Sequence, residues 1–109
     1  MSNGFGADFS GLMKQAQKMQ KDVERVKSSL AEMVVDASAG GGAITVHANG
    51  VREVLSIKIK PEVVDPDDLE ELEDLVLAAV NAALSKAQEL ADKEMGKATG
   101  GFNLPGLFG

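Results

Sequence analysis

The sequence predicts an α+β domain ordered α-β-β-β-α, a three-stranded antiparallel meander carried with two long helices. Three observations carry that prediction. Apolar residues from Phe9 to Met33 recur with the heptad spacing of a helix that buries one seam. Three short β-rich runs follow, separated by Gly40-Gly41-Gly42 and by Asn49-Gly50, which are hairpin punctuation. Beyond Pro61 the helical period returns and holds to Met95.

In the first helix the seam reads Phe9, Leu12, Ala16, Met19, Val23, Val26, Leu30 and Met33. After Gly11 its interior has no Gly or Pro and is dominated by Lys, Gln, Glu, Met, Leu and Ala, all strong helix formers. About 24 residues at 1.5 Å each give a rod of roughly 36 Å. Asp8 or Ser10 is the expected cap, with residues 1–8 as a flexible N-terminus. A helix longer than its own sheet leaves part of its seam unpartnered. Leu12, Ala16, Met19, Val23, Val26 and Leu30 therefore belong either to the core or to a dimer interface.

The strands are expected within 34–37, 43–48 and 51–60. A two-residue Asn49-Gly50 turn would set Ile44 opposite Leu55 and Val46 opposite Glu53. Ile44, Val46, Leu55, Ile57 and Ile59 then share one face. Pro61 ends the third strand, because it has no N–H to give to the ladder. For the second helix Asp65 is the expected N-cap and Pro66 the first helical residue, with Asp67 and Asp68 at the positive end of the dipole. Its stripe runs from Leu69 through Leu72, Val76, Ala79, Ala83 and Ala87 to Met95, and its alanines admit a neighbouring backbone closely. From about 98 to 109 a Gly- and Pro-containing apolar tail closes a single domain spanning 1–109.

Composition bounds the chemistry. The 109 residues include four Phe but no Trp or Tyr, so the core is small and oligomerisation is the expected way to bury more surface. Without Cys there is no disulfide framework, thiolate metal site or thiol redox chemistry. No stretch has the length and apolarity of a membrane span, and the N-terminus lacks a basic leader with an apolar run, which together predict a cytoplasmic protein. His47 stands alone mid-strand with no nucleophile motif near it, and Gly40-Gly41-Gly42 leads into a strand rather than a phosphate-binding helix. The acids between Asp65 and Asp74 lack the ligand spacing of a calcium loop and read as helix-start electrostatics. No enzyme activity, metal, cofactor or small-molecule substrate is expected.

A net charge of −6 and a pI near 4.7 argue against a whole-molecule grip on nucleic acid. The distribution argues differently. Lys14, Lys18, Lys21, Arg25 and Lys27 face only Asp22 and Glu24 across the first helix, whereas 62–74 holds eight acids and no base. On a helical wheel Lys14, Lys18, Lys21 and Arg25 fall within about 60° opposite the seam, spread over about 16 Å, with Gln17 beside them. Such a stripe is either an ordinary solvated face or a track for phosphates.

The segment Leu12-Met13-Lys14-Gln15-Ala16-Gln17-Lys18-Met19-Gln20 resembles the opening helix of the YbaB/EbfC nucleoid-associated proteins of bacteria. The similarity continues through Gly40-Gly41-Gly42, Val54-Leu55-Ser56-Ile57-Lys58-Ile59, Pro61-Glu62, the Asp-Leu-Glu-rich entry to the second helix and Leu104-Pro105-Gly106. It implies a YbaB-like fold and a homodimer of the cytoplasm and nucleoid. Its partner would be duplex DNA, met by projecting helices, with effects on gene regulation. This chain departs from the family pattern at Arg52 and at Lys60-Pro61, both adding positive charge. On this reading Lys14, Gln17, Lys18, Lys21 and Arg25 contact DNA. The alternative is a protein-interaction adaptor that docks through the seam or through 102–108.

Overall fold

A computed structural model describes residues 2–98, with side chains from residue 9 onward. Helix α1 (Ser2–Leu30) leads into strands β1 (Val34–Ala39), β2 (Ile44–Asn49) and β3 (Val54–Ile59). A single 3-10 turn at Pro61–Val63 precedes helix α2 (Leu69–Ala98). The sheet is antiparallel in the order β1-β2-β3, which is the expected α-β-β-β-α meander. Helix α1 starts at Ser2, so neither Asp8 nor Ser10 caps it and the boundary drawn near residue 8 moves to the second residue.

Helix α2 lies across one face of the sheet, over β1 and β2 and largely clear of β3. Ala79, Ala83 and Ala87, spaced four apart, bring the helix backbone down onto the sheet, and all three are fully buried. Ala79 and Ala83 pack into one cluster with Ala37, Ile44, Val46 and Ala48. Among the described residues the largest fully buried side chains are Leu30, Ile44 and Val46. This is the modest core the composition implied.

Helix α2 begins later than its N-cap signal suggests. Asp65 closes a turn instead, its carboxylate accepting from the Asp67 N–H at 2.9 Å and its carbonyl from the Asp68 N–H at 2.9 Å. The cap is Asp68, whose carboxylate accepts from the Glu71 N–H at 3.3 Å. Pro66, two residues before that cap, tolerates either arrangement, and the turn wins because Asp65 satisfies two N–H groups there.

The β2–β3 connection differs from the two-residue turn. Ile44 pairs with Ile59, Val46 with Ile57 and His47 with Ser56, and a bulge after His47 sets Ala48 opposite Val54. The register is displaced by four residues along β3, an even number, so Ile44, Val46, Ile57 and Ile59 keep their common face. The cause is the use made of Asn49 and Gly50. Gly50 does not supply a left-handed turn residue; its N–H reaches back to the carbonyls of Leu30 at 2.8 Å and Met33 at 3.0 Å. A Cβ there would stand 2.7–2.9 Å from the Leu30 side chain and carbonyl, so only glycine permits the approach. Asn49 builds the loop that follows. Its Oδ1 accepts from the N–H groups of Val51 and Glu53, and its Nδ2 donates to the Ala31 carbonyl and to Glu53 Oε1. Arg52 takes the positive φ, 65°, in the loop.

Candidate nucleic-acid interface

The Asn49-Gly50 corner closes the C-terminus of α1 and so fixes the direction in which the helix leaves the body. Leu30, 2% exposed, is the plug at that corner. Upstream the burial fades: Val26, Val23 and Asp22 are half-buried, and every side chain from Phe9 to Lys21 is exposed. The described molecule is accordingly elongated, 80 × 21 × 17 Å. Helix α1 is an arm.

The expected seam is therefore divided. Its lower part, Val23, Val26 and Leu30, belongs to the packing of α1 on the body and α2. Its upper part, Leu12, Ala16 and Met19, with Phe9 and Met13, is exposed, Leu12 to 64%. One heptad pattern serves two environments, because the pattern records only which side of a helix is apolar.

All five candidate contact residues, Lys14, Gln17, Lys18, Lys21 and Arg25, are exposed along the arm. Among the described residues Arg25 alone of the four bases is ion-paired, its Nη2 standing 3.2 Å from Asp22 Oδ1. With the Arg25 side chain 72% exposed, that pair is solvent-screened and exchangeable. Lys14, Lys18 and Lys21 are free to meet an anion. The acid-rich entry to α2 lies at the other end of the body, since Leu75 packs beside Gly40 in the β1–β2 turn while α1 closes against Gly50. Charge segregated along the chain is thus segregated in space.

A second surface was not foreseen from the sequence. Leu55, Ile57 and Ile59 lie on the α2 side of β3, yet α2 sits too far toward β1 to cover them, and Leu55 remains 52% exposed. Leu72, Val76, Leu77 and Val80 of α2 border the same groove beside Ile59, with Leu77 60% exposed. The only available signal was that Leu77 falls off the alanine stripe while remaining large and apolar.

His47 lies on the opposite face of the sheet, its Nδ1 at 3.2 Å from Ser56 Oγ. Among the described residues no cluster of His, Cys, Asp or Glu is placed to hold a metal ion, and no helix is long and apolar enough to cross a membrane.

The chain is 59% identical to a nucleoid-associated protein of Alkaliphilus metalliredigens over 96% of its own length and 92% of the relative's. It is likewise 59% identical to one from Acetivibrio thermocellus, over 96% and 94%, and 52% identical to one from Pelotomaculum thermopropionicum, over 94% and 98%. Among solved structures an uncharacterized protein from Helicobacter pylori shares the fold, with a TM-score of 0.70, 21% identity and coverage of 78% of this chain and 89% of that one. The model of the YbaB/EbfC DNA-binding family matches residues 5–102, from the arm through both layers of the body, and on that match the chain belongs to this family.

Proposed function

We propose that this protein works as a homodimer of the cytoplasm and nucleoid that holds duplex DNA between or along its two α1 arms, mainly through phosphate contacts. The observation that carries the reading is the exposure of Lys14, Gln17, Lys18, Lys21 and Arg25 along one side of a helix that stands clear of its own body. Membership in a DNA-binding family and the nucleoid-associated names of its relatives support it. The uncovered β3–α2 groove, rather than the upper seam, is the surface that pairs two copies on this reading, because it borders the small core.

Sequence preference is weak on this account. Lysines on phosphates fix position without reading bases, and Arg25 is the only arginine on the arm. The acid-rich entry to α2 repels the duplex from the far end and so orients it. Effects on DNA conformation and gene expression follow from holding the duplex. A gel-shift salt series tests the core of the proposal: neutralising four to eight phosphates per dimer gives a slope of log K against log salt of roughly −4 to −7. Charge reversal at Lys18, Lys21 and Arg25 removes binding while sedimentation still reports a dimer. Salt-independent binding refutes the phosphate model. The bare Leu12-to-Met19 stripe favours a second reading, an adaptor for another protein, which predicts no duplex binding at any salt concentration.

A further inference from the structure

The loop between β2 and β3 holds a side chain at a position whose backbone favours none. The Asn49 N–H donates to the Glu53 carbonyl and the Arg52 N–H to the Asn49 carbonyl, each at 3.0 Å, which closes a loop of residues 50–52. Three-residue hairpin loops commonly end on a left-handed residue, the conformation glycine adopts freely. Here that residue is Arg52, with φ 65°, and among the described residues no other non-glycine has a positive φ. Strained residues of this kind gather at binding sites. Inside the loop the Arg52 side chain has no compensating contact: among the described residues its guanidinium meets no carboxylate. The neighbouring Glu53 carboxylate is engaged instead by Asn49 Nδ2 at 2.8 Å.

What Arg52 does line is an open cleft of about 650 Å³, shared with Val51 and with Asn81, Leu84, Ser85 and Gln88 of α2. That volume lies within the range of small-molecule sites. Asn81, Ser85 and Gln88 are spaced about one turn apart on one side of the helix. The Asn81 amide and the Ser85 hydroxyl have no partner among the described residues, whereas Gln88 Nε2 donates to Asp92 Oδ1 at 2.8 Å. No carboxylate is among the described lining residues, and Val51 and Leu84 supply its apolar part. The cleft is separate from the surfaces already described. Its loop closes on α1 at Leu30, on the side of the helix away from Lys14, Lys18 and Lys21. The apolar groove meets β3 at Ile59, the far end of that strand.

We propose that this cleft binds a small organic phosphate. Its anion lies between the Arg52 guanidinium, the Ser85 hydroxyl and the Asn81 amide, and its apolar part rests on Leu84 and Val51. A guanidinium fork matches phosphate oxygens bidentately. Donors converging from a loop and a helix suit a tetrahedral anion better than a planar one. The bound molecule ties α2 to the loop on which α1 closes. This inference depends neither on DNA binding nor on pairing.

The test is a titration of the isotope-labelled full chain with phenyl phosphate, followed by amide chemical shifts. The expected result is a saturable shift of the amides of residues 51–53 and 81–88, with a dissociation constant on the order of 1 mM for so small a ligand. Arg52→Gly removes the guanidinium while keeping a residue that adopts the loop's backbone without strain, and it should weaken binding at least about tenfold. Ser85→Ala should weaken it by about threefold or more. Lys58→Ala removes the same charge from the opposite face of the sheet and should leave the affinity unchanged. Absence of a saturable shift at these amides overturns the proposal, as does equal weakening by Arg52→Gly and Lys58→Ala, the mark of general anion attraction. A duplex oligonucleotide that shifts these amides while phenyl phosphate leaves them unmoved assigns the cleft to DNA and also overturns it.

Discussion

Replacing Asn49 by alanine removes the joint between the arm and the body, and its cost can be worked from four hydrogen bonds. Oδ1 accepts from the N–H of Val51 at 3.1 Å and of Glu53 at 3.0 Å. Nδ2 donates to the Ala31 carbonyl at 3.2 Å and to Glu53 Oε1 at 2.8 Å. Net contributions of about 0.5–1.5 kcal/mol each would sum to about 2–6 kcal/mol. Val51, Arg52 and Glu53 are exposed, so water can reach the freed loop groups and the lower half of that range applies, about 3 kcal/mol. For a domain of this size the melting temperature should fall by about 10–20 °C. Thermal unfolding followed by circular dichroism measures it, at matched protomer concentration because pairing adds stability by mass action. Asn49→Asp sharpens the test. It keeps the acceptor for Val51 and Glu53 but turns an oxygen toward the Ala31 carbonyl and Glu53 Oε1, so it should cost at least as much as alanine. A melting temperature within about 2 °C of the parent for either variant would refute the role assigned to this side chain.

The same corner predicts that Gly50→Ala destabilises by about 1–3 kcal/mol or more, because the added methyl meets the Leu30 backbone oxygen as well as its side chain; urea unfolding reads the change. In the divided seam, Leu30→Ala should cost about 2–5 kcal/mol and Leu12→Ala less than about 0.5 kcal/mol in global stability, and comparable losses would contradict the division. Ala83→Leu should lower stability by about 1–3 kcal/mol, since α2 has no room to rise from Val46 without parting from the sheet. Ile57→Lys together with Leu77→Lys should yield a folded monomer by analytical ultracentrifugation if the β3–α2 groove pairs two copies, and an unchanged dimer would place the interface elsewhere.

The order of elements, the antiparallel meander, the alanine stripe of α2 and the two sides of α1 are all legible in residue spacing, because each depends on local periodicity and turn chemistry. Gly40-Gly41-Gly42 connects β1 to β2 as expected, all three with positive φ. The Asn49-Gly50 pair was legible as a corner but not as the corner it is. A hairpin turn and a helix seal both call for Asn and Gly, and only the arrival of Leu30 beside Gly50 distinguishes them. The Asp65 cap failed for a similar reason, since Asp68 offers the same chemistry one turn later.

By itself the sequence determined which side of each helix and strand is apolar, where the basic and acidic residues cluster, and that the core is too small in aromatics to be generous. Tertiary structure alone decided how far each partner reaches. Helix α2, drawn toward β1 by its alanines, leaves Leu55, Ile57 and Ile59 bare. Helix α1, held only at its last turns, stands out with Lys14, Lys18 and Lys21 on one side and Leu12 and Met19 on the other. Periodicity fixes the direction in which a side chain points relative to its own backbone; whether anything is there to meet it depends on the length and placement of another element.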